Sequence, residues 1–190
     1  MSSIAFNPDV QQSMVNGLIA GVTFRYTEEK HVGLMAEINI EQRGWKEDFE
    51  EYPFSYERKL TYIQVPLLTH IFFGGRKFKG FINLGPEVSY MLGESTNANF
   101  NYNNIPSVPG FPTENRMTEQ LYTKVKNKFD YGISAGIGME YLIKRRHSIM
   151  LEGRYYFGLG NIYPDNKRDT FSASRGSTIS ITLSYMYRLK

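Results

Sequence analysis

Residues 128–143 read Lys128-Phe-Asp-Tyr-Gly-Ile-Ser-Ala-Gly-Ile-Gly-Met-Glu-Tyr-Leu-Ile143. The odd positions are Phe129, Tyr131, Ile133, Ala135, Ile137, Met139, Tyr141 and Ile143. The even ones are Asp130, Gly132, Ser134, Gly136, Gly138, Glu140 and Leu142. Side chains alternate across a strand with period two, so this stretch predicts a long strand with one aromatic, aliphatic face and one face of Gly, Ser and carboxylates. No spacing of three and four gathers its apolar residues, which excludes a helix. A strand on a water-soluble protein would turn Lys, Glu and Thr outward. Here the polar face is small, as in a crowded concave interior, with the rings turned out. That is the pattern of a membrane β-barrel, polar inside and apolar toward lipid.

Six further segments carry the same alternation: 17–26, 32–42, 58–73, 78–92, 148–159 and 177–189. Val32, Leu34, Ala36, Ile38 and Ile40 oppose Gly33, Met35, Glu37, Asn39 and Glu41; Ile179 to Leu189 opposes Ser180 to Arg188 in the same way. Ile19 breaks the pattern of its segment, and Pro66 argues for an edge or a bulge because it lacks a ladder donor. Each segment supplies the roughly 9–11 residues that cross a bilayer at a tilt. The connections alternate in length. Residues 27–31, 74–77 and 144–147 are short; 43–57, 93–127 and 160–176 are long. Bacterial barrels have short periplasmic turns and long outside loops, so the chain is expected to finish in the periplasm, with residues 1–15 as a further outside loop. Up-and-down closure then calls for eight strands, seven of them visible. The first strand and a leader are expected upstream of Met1, since Met1 to Ile4 has neither a basic start nor an apolar core.

The chain of 190 residues fits one domain. Aromatics reach 15%, with 14 Tyr and 13 Phe, which suits interfacial girdles. No apolar run approaches the ~18 residues of a membrane helix. Cysteine is absent, which excludes disulfides and thiolate metal sites. A formal charge of +3 without a basic stripe gives no case for nucleic acid.

From Thr61 onward the chain resembles the PorT-like outer-membrane β-barrel family of Bacteroidetes-type bacteria. The resemblance rests on Tyr62-Ile63-Gln64-Val65-Pro66-Leu67-Leu68, Leu84-Gly85-Pro86-Glu87 and Tyr90-Met91-Leu92. It continues through Phe129-Asp130-Tyr131-Gly132, Gly136 to Tyr141, Arg154 to Leu159 with Asn161-Ile162, and Tyr185 to Leu189. It implies an eight-stranded barrel in the bacterial outer membrane whose first strand follows a signal peptide. This chain departs from the pattern at both ends: that strand is absent, and Leu189-Lys190 replaces a terminal aromatic. The family's namesake takes part in protein secretion, a role not carried over to this chain.

The polar face holds Arg25, Glu37, Glu41, Glu87, Asp130, Glu140, Glu152, Arg154 and Arg188. Inside a narrow barrel, charges of both signs must pair, and eight strands leave a lumen that side chains fill. The mixture therefore reads as an ionic plug rather than an ion path, with Glu140 and Glu152 sharing Arg154 or Arg188. His70 is the one histidine within a strand. A hydrolase would need it beside a hydroxyl and an acid, with Ser89 and Glu87 as the available partners; a satisfied interior histidine is the simpler reading. Three scattered histidines give no zinc site, and no cofactor motif is present. Gly132, Gly136 and Gly138 lie within a strand, so they are packing residues and not a phosphate loop. Phe49 and Tyr52 in the acidic loop, and Phe100 and Tyr102 in the Asn-rich one, are candidate contacts to a protein or glycan. The expected function is a small outer-membrane structural or interaction module, neither an enzyme nor an open pore. The alternatives are a lipid-modifying hydrolase and a lipocalin-like ligand-binding barrel with its rings turned inward.

Overall fold

The computed structural model describes residues 1–27, 29–49, 52–113, 116–144, 146–163 and 170–189. Among these residues nine strands form one antiparallel sheet: β1 Ser2–Asn7, β2 Gln12–Ser13, β3 Ile19–Thr27, β4 Val32–Glu47, β5 Tyr56–Gly74, β6 Phe78–Ala98, β7 Phe129–Lys144, β8 His147–Gly158 and β9 Ala173–Tyr187. Each of β3 to β8 pairs with the next in sequence, the meander that alternating short and long connections impose. A 3₁₀ turn, Ile105–Ser107, and one helical turn, α1 Glu119–Tyr122, are the only helices among the described residues.

The sequence reading needs correction at its start. Residues 1–15 are not a plain loop. β1 pairs with the upper part of β9 from Ser2↔Thr178 to Asn7↔Ala173, and β2 pairs with β4 at Gln12↔Glu47. β1 rises beside β9, antiparallel to it, in the place expected of a strand upstream of Met1. Its short, polar alternation (Ser2, Ile4, Phe6 against Ser3, Ala5, Asn7) hid it. The barrel is also not closed: among the described residues no ladder joins β3 to the lower part of β9.

The strands overrun the predicted ends. β4 continues to Glu47, β5 begins at Tyr56 and β6 runs to Ala98, so the long loops shrink to 48–55, 99–128 and 159–172. Of those calls on the connections, Glu28, Glu50, Glu51, Glu114, Asn115, Arg145, residues 164–169 and Lys190 lie outside the described residues. Pro66 lies in an interior strand, not at an edge. The β4–β5 ladder breaks around it, passing from Ala36↔Leu67 to Asn39↔Gln64, which accommodates the missing donor.

Outward positions form an apolar belt. Ile137 is 67% exposed, Ile181 77% and Leu183 74%, while Phe24, Leu67, Ile133, Tyr141 and Tyr155 are exposed beside them. On β4 the belt ends at Ile40, and the next outward residues are Gln42, Gly44 and Lys46. The rings point away from the lumen, the reverse of a lipocalin. No helix among the described residues is long and apolar enough to cross a membrane; the strands supply the crossing.

Candidate functional site

The lumen is built from alternate residues of β3 to β8, and three arginines brace it at three heights. Lowest is Arg25 on β3, which reaches across to Glu140 on β7 with Nη1 and Nη2 at 2.9 and 2.8 Å. Ser148 Oγ donates to the same carboxylate at 2.6 Å. At mid-height Arg154 on β8 spans to Glu37 on β4 at 2.8 and 2.7 Å and holds Glu152 at 3.0 and 2.9 Å. Asn39 and Asn83 donate to the two carboxylates in turn. Highest is Arg43 on β4, ion-paired with Glu41, Glu87 and Asp130. It donates to Gln64 at 2.7 Å and lies 4.1 Å from the centre of the Tyr156 ring. Planar guanidinium forks suit such two-oxygen contacts better than lysine would.

Small residues on the lumen face make room for these groups. A Cβ on Gly136 would come within 2.1 Å of Glu152 Oε1, and one on Gly138 within 2.4 Å of the Phe81 ring. Beside the lowest tier, Met35, Leu68, Phe72, Phe81 and Met150 form an apolar cluster, with Met35 opposite Arg25 and Met150 opposite Glu140 in the ladders.

Above the belt, the extended ends of β4, β5 and β6 carry a dome. Trp45 is fully buried there, 5.5 Å from Phe6 and 6.4 Å from Tyr163, with Phe171 stacked beyond. Phe49, Phe54, Phe100 and Phe111 form an adjoining cluster of rings. Arg58 fastens the dome by donating to Glu94 at 2.6 Å and to the Thr123 carbonyl at 2.7 Å. Tyr56 and Tyr163 donate to the carbonyls of Leu121 and Gln120. Glu47, at the top of β4, accepts from Gln120 Nε2 at 3.0 Å, with Arg116 3.9 Å away. Burial pushes its carboxyl up to about 7, against the pull of Gln120 and Arg116.

Of the lumen residues singled out from sequence, Arg25, Glu37, Glu87, Glu140, Glu152 and Arg154 all lie in these tiers. Arg188 does not. It is exposed past the end of β9, and Glu140 pairs with Arg25 instead of an arginine on its own side of the wall. Arg43 was missed because it was assigned to a loop, although it follows Glu37, Asn39 and Glu41 at the same parity. Phe49 is corrected as a surface contact, since it is buried in the dome, and Phe100 is half-buried against it. Tyr52 is exposed and Tyr102 half-buried against Tyr56.

His70 Nδ1–H donates to Asn83 Oδ1 at 2.7 Å, and Arg25 Nη1 is 3.4 Å from Nε2. Glu87 and Ser89 lie further up β6, opposite Pro66 and Gln64, so neither stands beside His70. No group of three His, Asp or Glu among the described residues is placed to hold a metal ion.

On the dome, Asn103, Asn104, Thr113, Thr118 and Tyr122 line a groove of about 670 Å³ over Ile105 and Phe111, with no charged side chain in its wall among the described residues. The family model described as outer membrane protein beta-barrel domain matches residues 2–163. No curated protein matches the chain.

Proposed function

Because the chain belongs to the outer membrane protein β-barrel domain family and so resides in the bacterial outer membrane, we propose that it is a small barrel with a plugged lumen serving as a non-catalytic structural or interaction module. One observation carries this reading: three arginines clasp carboxylates across the lumen, with an apolar cluster beside the lowest of them and an aromatic dome above. An ion crossing such a lumen would have to break buried ion pairs at each tier, which is costly. The resemblance of residues 61–189 supports a place in the PorT-like branch of small outer-membrane barrels.

Any specificity then lies outside, on the dome. Its groove offers amide and hydroxyl groups beside the half-exposed Tyr122 ring, a surface suited to an uncharged glycan or a polar protein segment. Tyr52 and Tyr102 extend the accessible aromatic surface. The lipid bilayer is the partner of the belt.

The purified protein in planar bilayers tests the sealed lumen. The expected trace is flat at moderate voltage, and reproducible unitary steps would overturn the reading. For the dome, capture from outer membranes is expected to weaken on Tyr122→Ala; capture indifferent to Tyr122, Asn103 and Thr118 together refutes a contact at the groove.

A further inference from the structure

The short connections are basic. Residues 27–31, 74–77, 144–147 and 188–190 hold eight Lys or Arg and two Glu. That surplus of six positive charges exceeds the +3 of the whole chain, so everything above these turns is net negative. Among the described residues, Lys30, Arg76, Lys77, Lys144, Arg146 and Arg188 are all exposed. None of the six has an ion pair among those residues, whereas every arginine of the lumen tiers has one. Like charges gathered at one end without counter-ions make a surface for an anion.

Their distribution selects the kind of anion. The turns joining β3 to β4, β5 to β6 and β7 to β8 alternate round the wall with the end of β9, and each of these four stations carries at least one of the cations. The cations therefore form a collar that follows the circumference. Just above it stand exposed aromatic side chains: Tyr26, Phe73, Phe78, Tyr141 and Tyr187. Each lies one to four residues along the chain from a cation, at most about 13 Å of extended backbone. Aromatics in such a belt sit at the headgroup level of a bilayer. The collar thus reaches the phosphate layer of the leaflet on the short-turn side, the periplasmic one. Long Lys and Arg stems let the charged ends lie there while the backbone turns in water.

We propose that the collar binds anionic phospholipid headgroups of the periplasmic leaflet in preference to zwitterionic ones, and so gathers them around the barrel. The inference rests on the barrel reading above, and on neither the plugged lumen nor the dome groove. Guanidinium and ammonium groups donate to the phosphate oxygens that every phospholipid carries. Selectivity comes from net charge, because a zwitterionic headgroup brings its own cation to compete. A leaflet meets all four stations at once, since it already surrounds the wall at this height. A bound acidic polypeptide would cross one side of the mouth and leave the cations opposite unmet. Near an anionic surface each Lys or Arg favours association roughly fivefold, an effect that fades within a Debye length.

Spin-labelled phospholipids test this in vesicles made from equal parts of phosphatidylcholine and phosphatidylglycerol. Electron paramagnetic resonance reads the fraction of each label immobilised at the protein surface. The parent is expected to hold labelled phosphatidylglycerol about threefold more strongly than labelled phosphatidylcholine, and to lose most of that preference at about 1 M salt, where the Debye length shrinks to about 3 Å. The combined variant Arg76→Gln, Lys77→Gln, Lys144→Gln, Arg146→Gln is expected to bring the ratio close to parity. Lys124→Gln, Lys126→Gln, Lys128→Gln removes exposed cations from the opposite end and is expected to leave most of the preference. A parent ratio near parity overturns the proposal, as does a salt-insensitive ratio or an equal loss from the opposite-end variant. The salt series needs no substitution, so it decides the question even where the combined variant fails to fold. Poly-glutamate that binds the parent in phosphatidylcholine nanodiscs through the same four cations, with no lipid preference, would assign the collar to an acidic protein instead. Absence of any immobilised lipid sinks the barrel reading as well; immobilised lipid without headgroup preference sinks this inference alone.

Discussion

Replacing Arg154 by Met removes the middle brace while keeping much of its volume. The guanidinium makes four hydrogen bonds to two buried carboxylates, Glu37 and Glu152, and its side chain is 6% exposed. Methionine leaves both carboxylates facing each other without a cation, and breaking a buried pair from one side costs about 3–5 kcal/mol. Asn39, Asn83 and residual solvation recover some of this, so a loss of roughly 3 kcal/mol is expected. Urea unfolding in phospholipid vesicles, followed by far-UV circular dichroism and gel migration, measures it as a drop in midpoint at constant slope. The triple variant Arg154→Met, Glu37→Gln, Glu152→Gln removes the stranded charges together and is expected to regain about half of the loss. A single variant within about 1 kcal/mol of the parent refutes the bracing, as does a triple variant no better than the single one.

Three further outcomes follow from other parts of the molecule. Glu47 lies in the dome beyond the apolar belt, and its folded-state value near 7 exceeds the ordinary 4.5. Folded protein therefore binds that proton more tightly than unfolded, so its stabilising contribution is full below about pH 4.5 and is lost as pH rises through 7, by about 3 kcal/mol in total. Hydrogen exchange of the α1 and β4-tip amides should quicken over that window, and Glu47→Gln should abolish the dependence. Ile137→Lys, on the outer face at mid-strand, is expected to cost about 2–4 kcal/mol in vesicles; a negligible change would place that face in water. Gly138→Val sets a branched side chain against Phe81 and the Leu151 carbonyl, and a loss of about 1–3 kcal/mol in the same unfolding assay is expected.

Much of the wall was legible because a single rule, period two, decides both secondary structure and facing. It placed Tyr131, Ile137 and Ile181 on the outside and Glu37, Glu140 and Arg154 within. What it could not supply was a partner across the lumen. Parity says that Glu140 points inward, but only the curling of the sheet brings β3 opposite β7 and so gives it Arg25. Strand ends were also hidden. Above the belt, outward residues such as Gln42 and Lys46 are polar while Arg43 and Trp45 remain buried, so the contrast between faces that marked the strand fades there. β1 escaped notice because six residues carry too few alternations to stand out from a polar leader. The dome was illegible for a related reason. Phe49, Phe100 and Phe111 come from two separate loops, and no local pattern announces that rings so far apart in sequence will meet.

The position of the lone indole affects how this protein can be watched as it folds. Trp45 is shut away among Phe6, Tyr163 and the Arg58 guanidinium, one storey above the hydrocarbon. Intrinsic emission will then time the roofing of the structure and stay silent about its passage into the bilayer. An investigator who equates the spectral blue shift with insertion would be reading the wrong clock.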